Sequence, residues 1–366
     1  MERVLKIGIV GCGEIAMENL VAIQQSGNSQ VVIAMDPQID LAKSLAVKAN
    51  AKPTDRFEEV LDKNDVDAIF ICTPHYLHVP LGIQAAKRGK HLIMEKPIAT
   101  KLNDARDLIR ICNESNVKLA VAYIMRYEDN VRKAKEFIEN GIIGKIVGIE
   151  IHWIADKPDT YWSGGFTGRA MTNWRASKLD SGGGILIMNC SHLFDYIDFI
   201  AGLNPVKYYS QYGAFLTDVE VEDYFFGVLR YSNGVMGSVI ASSKMVGGRY
   251  PNEERGVRLY GEYGQIVVCD TDSLLVYTKK RDTDIKPDQW NRIPNSKNDL
   301  NKGTTKDEVT ARTLFIREVA DALLNDREPP ISGRIAYRSL ETCIKLYESS
   351  KLSPKRVRNI NKNIEK

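Results

Sequence analysis

The chain has 366 residues, a length that suits two domains. Apolar residues make up 43%, charged residues 27% and aromatic residues 8%, the balance of an ordinary globular protein, which excludes wholesale disorder and fibrous repeats. The formal charge is only +3, and residues 351–366 alone hold six basic side chains and one acidic, so the body of the chain offers no broad positive field for nucleic acid.

The six cysteines (Cys12, Cys72, Cys112, Cys190, Cys269 and Cys343) form no CxxC pair and no zinc-type spacing with the histidines. Reduced thiols in a cytoplasmic protein, with no metal, are the expectation. The apolar run at 7–12 leads straight into Glu14 and Glu18, unlike a signal peptide, and no run of 18 apolar residues exists to cross a membrane.

In chain order, the first third alternates short β-branched runs, at 4–10, 31–35, 66–72, 91–95 and 117–123, with helix-like stretches. Continuous apolar strands separated by amphipathic helices predict a doubly wound parallel sheet, ending near Tyr123. A helix is predicted over about 129–140, then a turn at Gly141 and Gly144 and a long strand over 145–155. Residues 156–184 read as a loop rich in glycine and aromatic side chains (Tyr161, Trp162, Phe166, Trp174), too long to be an idle connection and a candidate active-site wall. Alternating runs at 206–215, 223–231, 234–243, 255–260, 264–269 and 273–278 predict a largely antiparallel sheet. The polar stretch 279–307 reads as a surface excursion and lid candidate, and helices over about 308–325 and 334–350 close the chain. The fold class is therefore α/β, with one domain over 1–123 and a second over 124–366.

The first strand runs into Gly11-Cys12-Gly13-Glu14-Ile15-Ala16 and then a helix, the strand-turn-helix context of a dinucleotide-binding turn. Glycine lets backbone approach a pyrophosphate, the helix N-terminus presents free N–H groups, and small Ala16 lets helix and strand pack closely. Asp36, at the end of the second strand, stands where a carboxylate accepts both ribose hydroxyls, and it would repel a 2′-phosphate. NAD is favoured over NADP.

Ala85-Ala86-Lys87-Arg88-Gly89-Lys90-His91 followed by Glu95-Lys96-Pro97 carries a resemblance, with Asp65-Val66-Asp67-Ala68, Thr73-Pro74, His78, Gly182-Gly183-Gly184, His192 and Asp195 in support. Over nearly its whole length the chain resembles the Gfo/Idh/MocA family of sugar and cyclitol oxidoreductases. The resemblance implies a Rossmann domain plus an α/β domain with an open-faced, mainly antiparallel sheet. It implies cofactor contacts at Gly11, Gly13, Glu14, Ile15, Asp36, Thr73, Pro74, His78, Glu95 and Lys96. Lys96 would lie beside nicotinamide and substrate, where a fixed ammonium stabilises alkoxide character, and His192 would shuttle the hydroxyl proton.

One departure stands out. Many family members carry Asp four residues before this histidine, whereas this chain has Met188, which binds a hydroxyl poorly. Asn189 is the expected substrate ligand in its place, with Asp195 as an orienter of His192 or a structural cap. Further substrate-wall candidates are Tyr123, Arg126, Asn173, Trp174 and Arg175, with Arg169 weaker. The expectation is an NAD-dependent dehydrogenase acting on a secondary hydroxyl or ketone of a sugar, sugar derivative or cyclitol, assembled as a homodimer or homotetramer through its open sheet. The alternatives are an NAD-dependent redox-neutral glycosidase and a non-catalytic dinucleotide or sugar sensor.

Overall fold

The computed structural model describes residues 3–248, 256–269, 273–282, 285–294 and 310–350. The chain divides into two compact units. The first comprises Met1–Ile124, Thr160–Gly182 and Thr304–Leu340; the second comprises Met125–Asp159, Gly183–Gly303 and Glu341–Lys366. A single cut at residue 123 therefore describes only the first crossing, because two later segments return to the first unit. Nothing local in those segments encodes the return; their partners are far away in the chain.

The first unit is built on strands β1 (Leu5–Val10), β2 (Ser29–Met35), β3 (Lys52–Thr54), β4 (Ala68–Ile71), β5 (His91–Met94) and β6 (Leu119–Val121). They pair in parallel in the order β3-β2-β1-β4-β5-β6. Ile7, Ile9 and all four residues of β4 are fully buried, as expected when helices cover both faces of a sheet. The helices are α1 (Glu14–Ser26), α2 (Ile39–Ala49), α3 (Phe57–Leu61), α4 (His78–Lys87) and α5 (Leu102–Glu114). Two short turns, α7 (Tyr161–Gly164) and α8 (Lys178–Ser181), lie in the returning loop.

Helix α10 (Ala311–Leu324) completes this unit by packing along α1. Arg312 reaches Glu18 at 2.9 Å, and Arg317 Nε donates to the Ser26 carbonyl at 3.0 Å. Helix α11 (Gly333–Ser349) follows, with its first half counted in this unit. Strand order reverses between β1 and β4, and in open α/β sheets ligands bind outside the carboxyl ends of strands at such a point.

The second unit contains an eight-stranded sheet: β7 (Ile146–Ile154), β8 (Pro205–Gly213), β9 (Tyr224–Tyr231), β10 (Met236–Ser242), β11 (Gly256–Gly261), β12 (Gly264–Cys269), β13 (Ser273–Thr278) and β14 (Trp290–Pro294). The order is β14-β13-β12-β11-β7-β10-β9-β8, and among the described residues β7 with β10 is its one parallel pair. Helices α6 (Asp129–Glu139) and α9 (Ser191–Ala201) pack against one another and on the sheet. Burial alternates along β9, with Phe225, Leu229 and Tyr231 inward and Phe226, Val228 and Arg230 outward, so one face is core and the other open. Among the described residues of these strands, Val147, Val206, Tyr209, Phe226, Val228, Met236 and Trp290 are the large apolar side chains left exposed.

The surface excursion expected over 279–307 is corrected in part. Residues 290–294 form β14, because Trp290 and Ile293 pair with Tyr277 and Leu274 of β13, a long-range match that a polar local composition conceals. The rest of that excursion from 295 to 307, and the basic tail at 351–366, lie outside the described residues.

Candidate active site

The glycine turn follows β1 directly. Gly11 has φ +87°, and a Cβ there would sit 2.8 Å from the Cys72 backbone at the end of β4, so both conformation and crowding demand glycine. Gly13 is different: its φ is −71°, and an added Cβ would meet nothing nearer than the Ala170 Cβ at 3.8 Å. The protein has no internal need for glycine at this N-cap, so the space is a cradle that a side chain would fill. No side chain caps α1, and Gly13, Glu14 and Ile15 are accessible beside its first N–H groups. These features fit a dinucleotide pyrophosphate. Asp36 secures the turn by accepting from the Cys12 N–H at 2.8 Å and the Gln38 N–H at 2.9 Å, and each oxygen keeps a second lone pair for a ribose hydroxyl.

Lys96 follows the carboxyl end of β5 in a Lys96-Pro97 cis turn, half-buried in an otherwise buried run from 92 to 99. His78 supports this turn. Its Nδ1 lies 2.7 Å from the Pro97 carbonyl oxygen and its Nε2 3.1 Å from the Thr73 carbonyl oxygen, so a neutral ring donates to one of them at a time. Burial pushes its pKa down, against the pull of those two carbonyls. Thr73 and Pro74 remain accessible at the end of β4.

The returning loop lies along this carboxyl edge. The Phe166 N–H donates to Glu14 Oε2 at 3.1 Å, and Arg169 Nε donates to the Cys12 carbonyl at 3.0 Å while its Nη1 reaches Ser44 Oγ at 3.3 Å. His75 Nδ1 donates to the Ser181 carbonyl at 2.8 Å, its ring 4.4 Å from that of Trp174. Arg175 stacks over Trp174 and Tyr161 at 4.7 and 5.2 Å. Trp174 and Arg175 are half-exposed, and Asn173 is exposed.

In the second unit a π turn (Leu186–Cys190) leads into α9, which carries His192. A π turn inside a helix often marks a functional site. Between 183 and 197 every residue is buried except Asn189 and His192. Glu222 anchors the start of this segment: its carboxylate accepts from the N–H groups of Gly184 at 2.7 Å and Leu186 at 3.0 Å, and from the Tyr347 hydroxyl at 2.6 Å. Its burial raises the carboxyl pKa, against these three donors. Lys157 Nζ donates to Asn189 Oδ1 at 2.8 Å.

Four expectations are corrected. Arg126 is 8% exposed and forks onto Asp195, so its guanidinium is engaged in a buried ion pair and not available to a substrate. Glu95 turns inward, accepting from Asn19 Nδ2 at 3.0 Å and Arg312 Nη1 at 3.2 Å, because α10 supplies a cation there. His78 is fully buried and positions backbone in place of touching a ligand. Tyr123 is also fully buried and exposes no face to a substrate. Sequence reasoning missed His75, Lys157 and Glu222. Only His75 had a signal, its place beside the Thr73-Pro74 turn; the other two become legible through contacts over 32 and 38 residues.

Among the described residues, no group of His, Cys, Asp and Glu side chains could hold a metal, and no helix is long and apolar enough to cross a membrane. The six cysteines are buried free thiols.

A parallel sheet ordered 3-2-1-4-5-6, with a glycine turn after β1 and the Asp36 carboxylate after β2, defines a Rossmann dinucleotide-binding unit. Residues 5–123 match the family profile described as "Oxidoreductase family, NAD-binding Rossmann fold", and residues 131–267 match "GFO/IDH/MocA C-terminal domain". The chain belongs to the Gfo/Idh/MocA family, and its first unit is the NAD-binding domain. An uncharacterized oxidoreductase of Streptococcus pneumoniae is 31% identical over 43% of this chain and 43% of that protein. Myo-inositol 2-dehydrogenase of Thermotoga maritima is 25% identical over 72% of this chain and 74% of its own length. The WlbA dehydrogenase from Bordetella pertussis, crystallised with NADH and UDP-GlcNAcA, is 25% identical with a TM-score of 0.76, covering 95% of this chain and 96% of that one. The matches to the first curated relatives span between 41% and 66% of those proteins' length.

Proposed function

We propose that the protein is an NAD-dependent oxidoreductase moving a hydride between nicotinamide and a secondary hydroxyl or ketone of a sugar, sugar derivative or cyclitol. The observation that carries this reading is Lys96 on a braced turn at the ligand edge of an NAD-binding Rossmann unit. Likeness to an inositol dehydrogenase and to a sugar-nucleotide dehydrogenase supports the substrate class.

Bound NAD would supply the hydride acceptor. In this reading Gly11, Gly13, Glu14 and Ile15 hold the pyrophosphate, Asp36 the ribose hydroxyls, and Thr73 and Pro74 line the same edge. Lys96 hydrogen-bonds the reacting oxygen and stabilises its developing negative charge, an effect strengthened where water is excluded. His192 takes the hydroxyl proton in oxidation and returns it in reduction, a contribution typically worth roughly 10² to 10⁴ in rate. Asn189 contacts substrate, and Trp174 and Arg175 form an aromatic and cationic wall. Asn173, exposed in the same loop, is a further wall candidate.

The exposed apolar face bearing Tyr209, Phe226, Val228 and Met236 supports a homo-oligomer, since a monomer seldom leaves such a patch in water. Six buried free thiols suit the reducing cytoplasm. The test is absorbance at the NADH band with NAD and a panel of sugars, sugar acids, nucleotide sugars and inositols. A signal confined to one substrate class and lost in Lys96→Ala is expected. Turnover in Lys96→Ala at the original rate would reject the mechanism.

A further inference from the structure

We infer that Glu222 and Tyr347 are positioning residues of the His192 segment: together they close the N-terminal end of the helical stretch from 184 to 201 and so fix where the His192 imidazole stands. The consequence for turnover rests on the oxidoreductase reading of His192, whereas the placement rests on geometry within the second unit.

A helix leaves its first four N–H groups without a partner of its own. Here the first bond inside the helix runs from the Met188 N–H to the Gly184 carbonyl at 3.0 Å, so those donors belong to Gly184, Ile185, Leu186 and Ile187. All four are met by two residues. Glu222 takes three: the Gly184 N–H on Oε2 at 2.7 Å, the Leu186 N–H on Oε1 at 3.0 Å and the Ile185 N–H on its backbone carbonyl at 3.3 Å. The Ile187 N–H donates to the Tyr347 hydroxyl at 3.4 Å, and that hydroxyl donates to Glu222 Oε1 at 2.6 Å, which joins the two residues into one cap. The fit leaves no slack: a Cβ on Gly184 would lie 2.0 Å from the Glu222 carbonyl oxygen, and one on Gly183 would lie 2.3 Å from the Tyr347 hydroxyl.

Glu222 is itself held in place. It is buried, and the Asp223 carboxylate beside it accepts from the N–H groups of Phe215 at 2.9 Å, Leu216 at 2.7 Å and Thr217 at 2.7 Å. The Asp223 N–H donates to the Gly213 carbonyl at 3.1 Å, and its carbonyl accepts from the Ser243 N–H at 2.8 Å, so the cap is tied to the ends of β8 and β10. Past the cap, the Ser191 N–H reaches back to the Leu186 carbonyl, the five-residue span of a π turn. Burial of Leu193, Phe194 and Ile197 fixes the far side. The π turn thus lies between two fixed flanks. With the first flank released it would settle into the commoner α form, and one flank would rotate against the other by about 100°, one residue's share of a turn. His192 stands at this junction, so the groups beside its ring depend on the cap. A misplacement of about 1 Å can cost about a hundredfold in rate.

The test is NMR of the protein labelled at histidine Cε1, with the His192 signal identified by its loss in His192→Ala. Glu222→Gln keeps the shape of the side chain but sets an amide N–H against a donor, and Tyr347→Phe, the milder second variant, removes only the hydroxyl. Both should move or broaden the His192 signal while those of His75 and His91 stay in place, and hydrogen exchange across 184–190 should quicken roughly ten- to a hundredfold. NAD binding by calorimetry should be unchanged, with circular dichroism melts reporting whether each variant is folded. On a sugar that the NADH assay identifies, Glu222→Gln should lower kcat roughly ten- to a hundredfold with KM nearly constant, and should add little to the loss in His192→Ala. A His192 signal unmoved in both variants overturns the inference. So does a Glu222→Gln loss that persists in full in a protein already slowed by His192→Ala. His192→Ala turning over at the wild-type rate, with the signal moved as expected, would reject His192 as the proton carrier and leave the placement by Glu222 and Tyr347 standing.

Discussion

Arg126 grips Asp195 through two side-chain bonds, Nε to Oδ2 at 2.5 Å and Nη2 to Oδ1 at 2.8 Å, and Nη2 also reaches the Asp195 carbonyl at 3.2 Å. The pair is buried, and burial pushes the Asp195 carboxyl up to about 6 against the opposing pull of the guanidinium. Removing one partner strands the other charge. Arg126→Met or Asp195→Leu alone should each cost about 3–5 kcal/mol in urea unfolding, whereas the double replacement should recover much of the loss. A stable Arg126→Met variant whose sole change is a raised KM would return Arg126 to the substrate wall.

The two glycines of the nucleotide turn should respond in opposite ways. Gly11→Ala forces a side chain into a positive-φ position 2.8 Å from the Cys72 backbone and should cost about 1–3 kcal/mol of stability. Gly13→Ala meets no such crowding, so its melting temperature should stay close to wild type while NAD binding by calorimetry weakens roughly tenfold or more. Unchanged NAD affinity in Gly13→Ala would count against a pyrophosphate in the cradle.

His75 and His78 should make stability depend on pH. Burial lowers both pKa values, that of His75 well below the ordinary 6.5, helped by the neighbouring charges of His78 and Lys96. Below pH 6.5 the unfolded chain takes up protons that the native rings refuse. Their contribution is complete above that pH and is lost as pH falls toward the native values, by up to about 1.4 kcal/mol per unit for each ring. Asp195 and Glu222 shift upward, which acts in the opposite sense at lower pH. Urea titrations of wild type and His75→Gln at pH 7.5, 6.5 and 5.5 isolate the histidine term: the variant should show the shallower loss. Parallel slopes would mean that His75 is protonated in the native state.

Much of the coenzyme end was legible in the residues themselves. Gly11 needs a positive φ, α1 needs an uncapped N-terminus near a ligand, and Asp36 must end β2; each requirement is local and leaves a local mark. The strand runs were equally readable, because burial on both faces writes itself as continuous β-branched sequence and burial on one face as alternation. The substrate end was less readable. Arg126 and Asp195 have the residue types of a binding site, yet they satisfy each other across 69 positions, and Glu95 is taken by Arg312 across 217.

The sequence by itself determined the class of fold and the coenzyme, since these depend on short-range geometry: periodicity, turn chemistry and motif spacing. Tertiary structure alone decided which charges are spent inside the protein, that the loop after β7 and helix α10 return to the first unit, and that Lys157 and Glu222 serve the histidine segment. The physical reason is that a buried charge or an orphaned N–H is satisfied by whichever partner the fold brings within about 3 Å, and separation along the chain carries no trace of that choice.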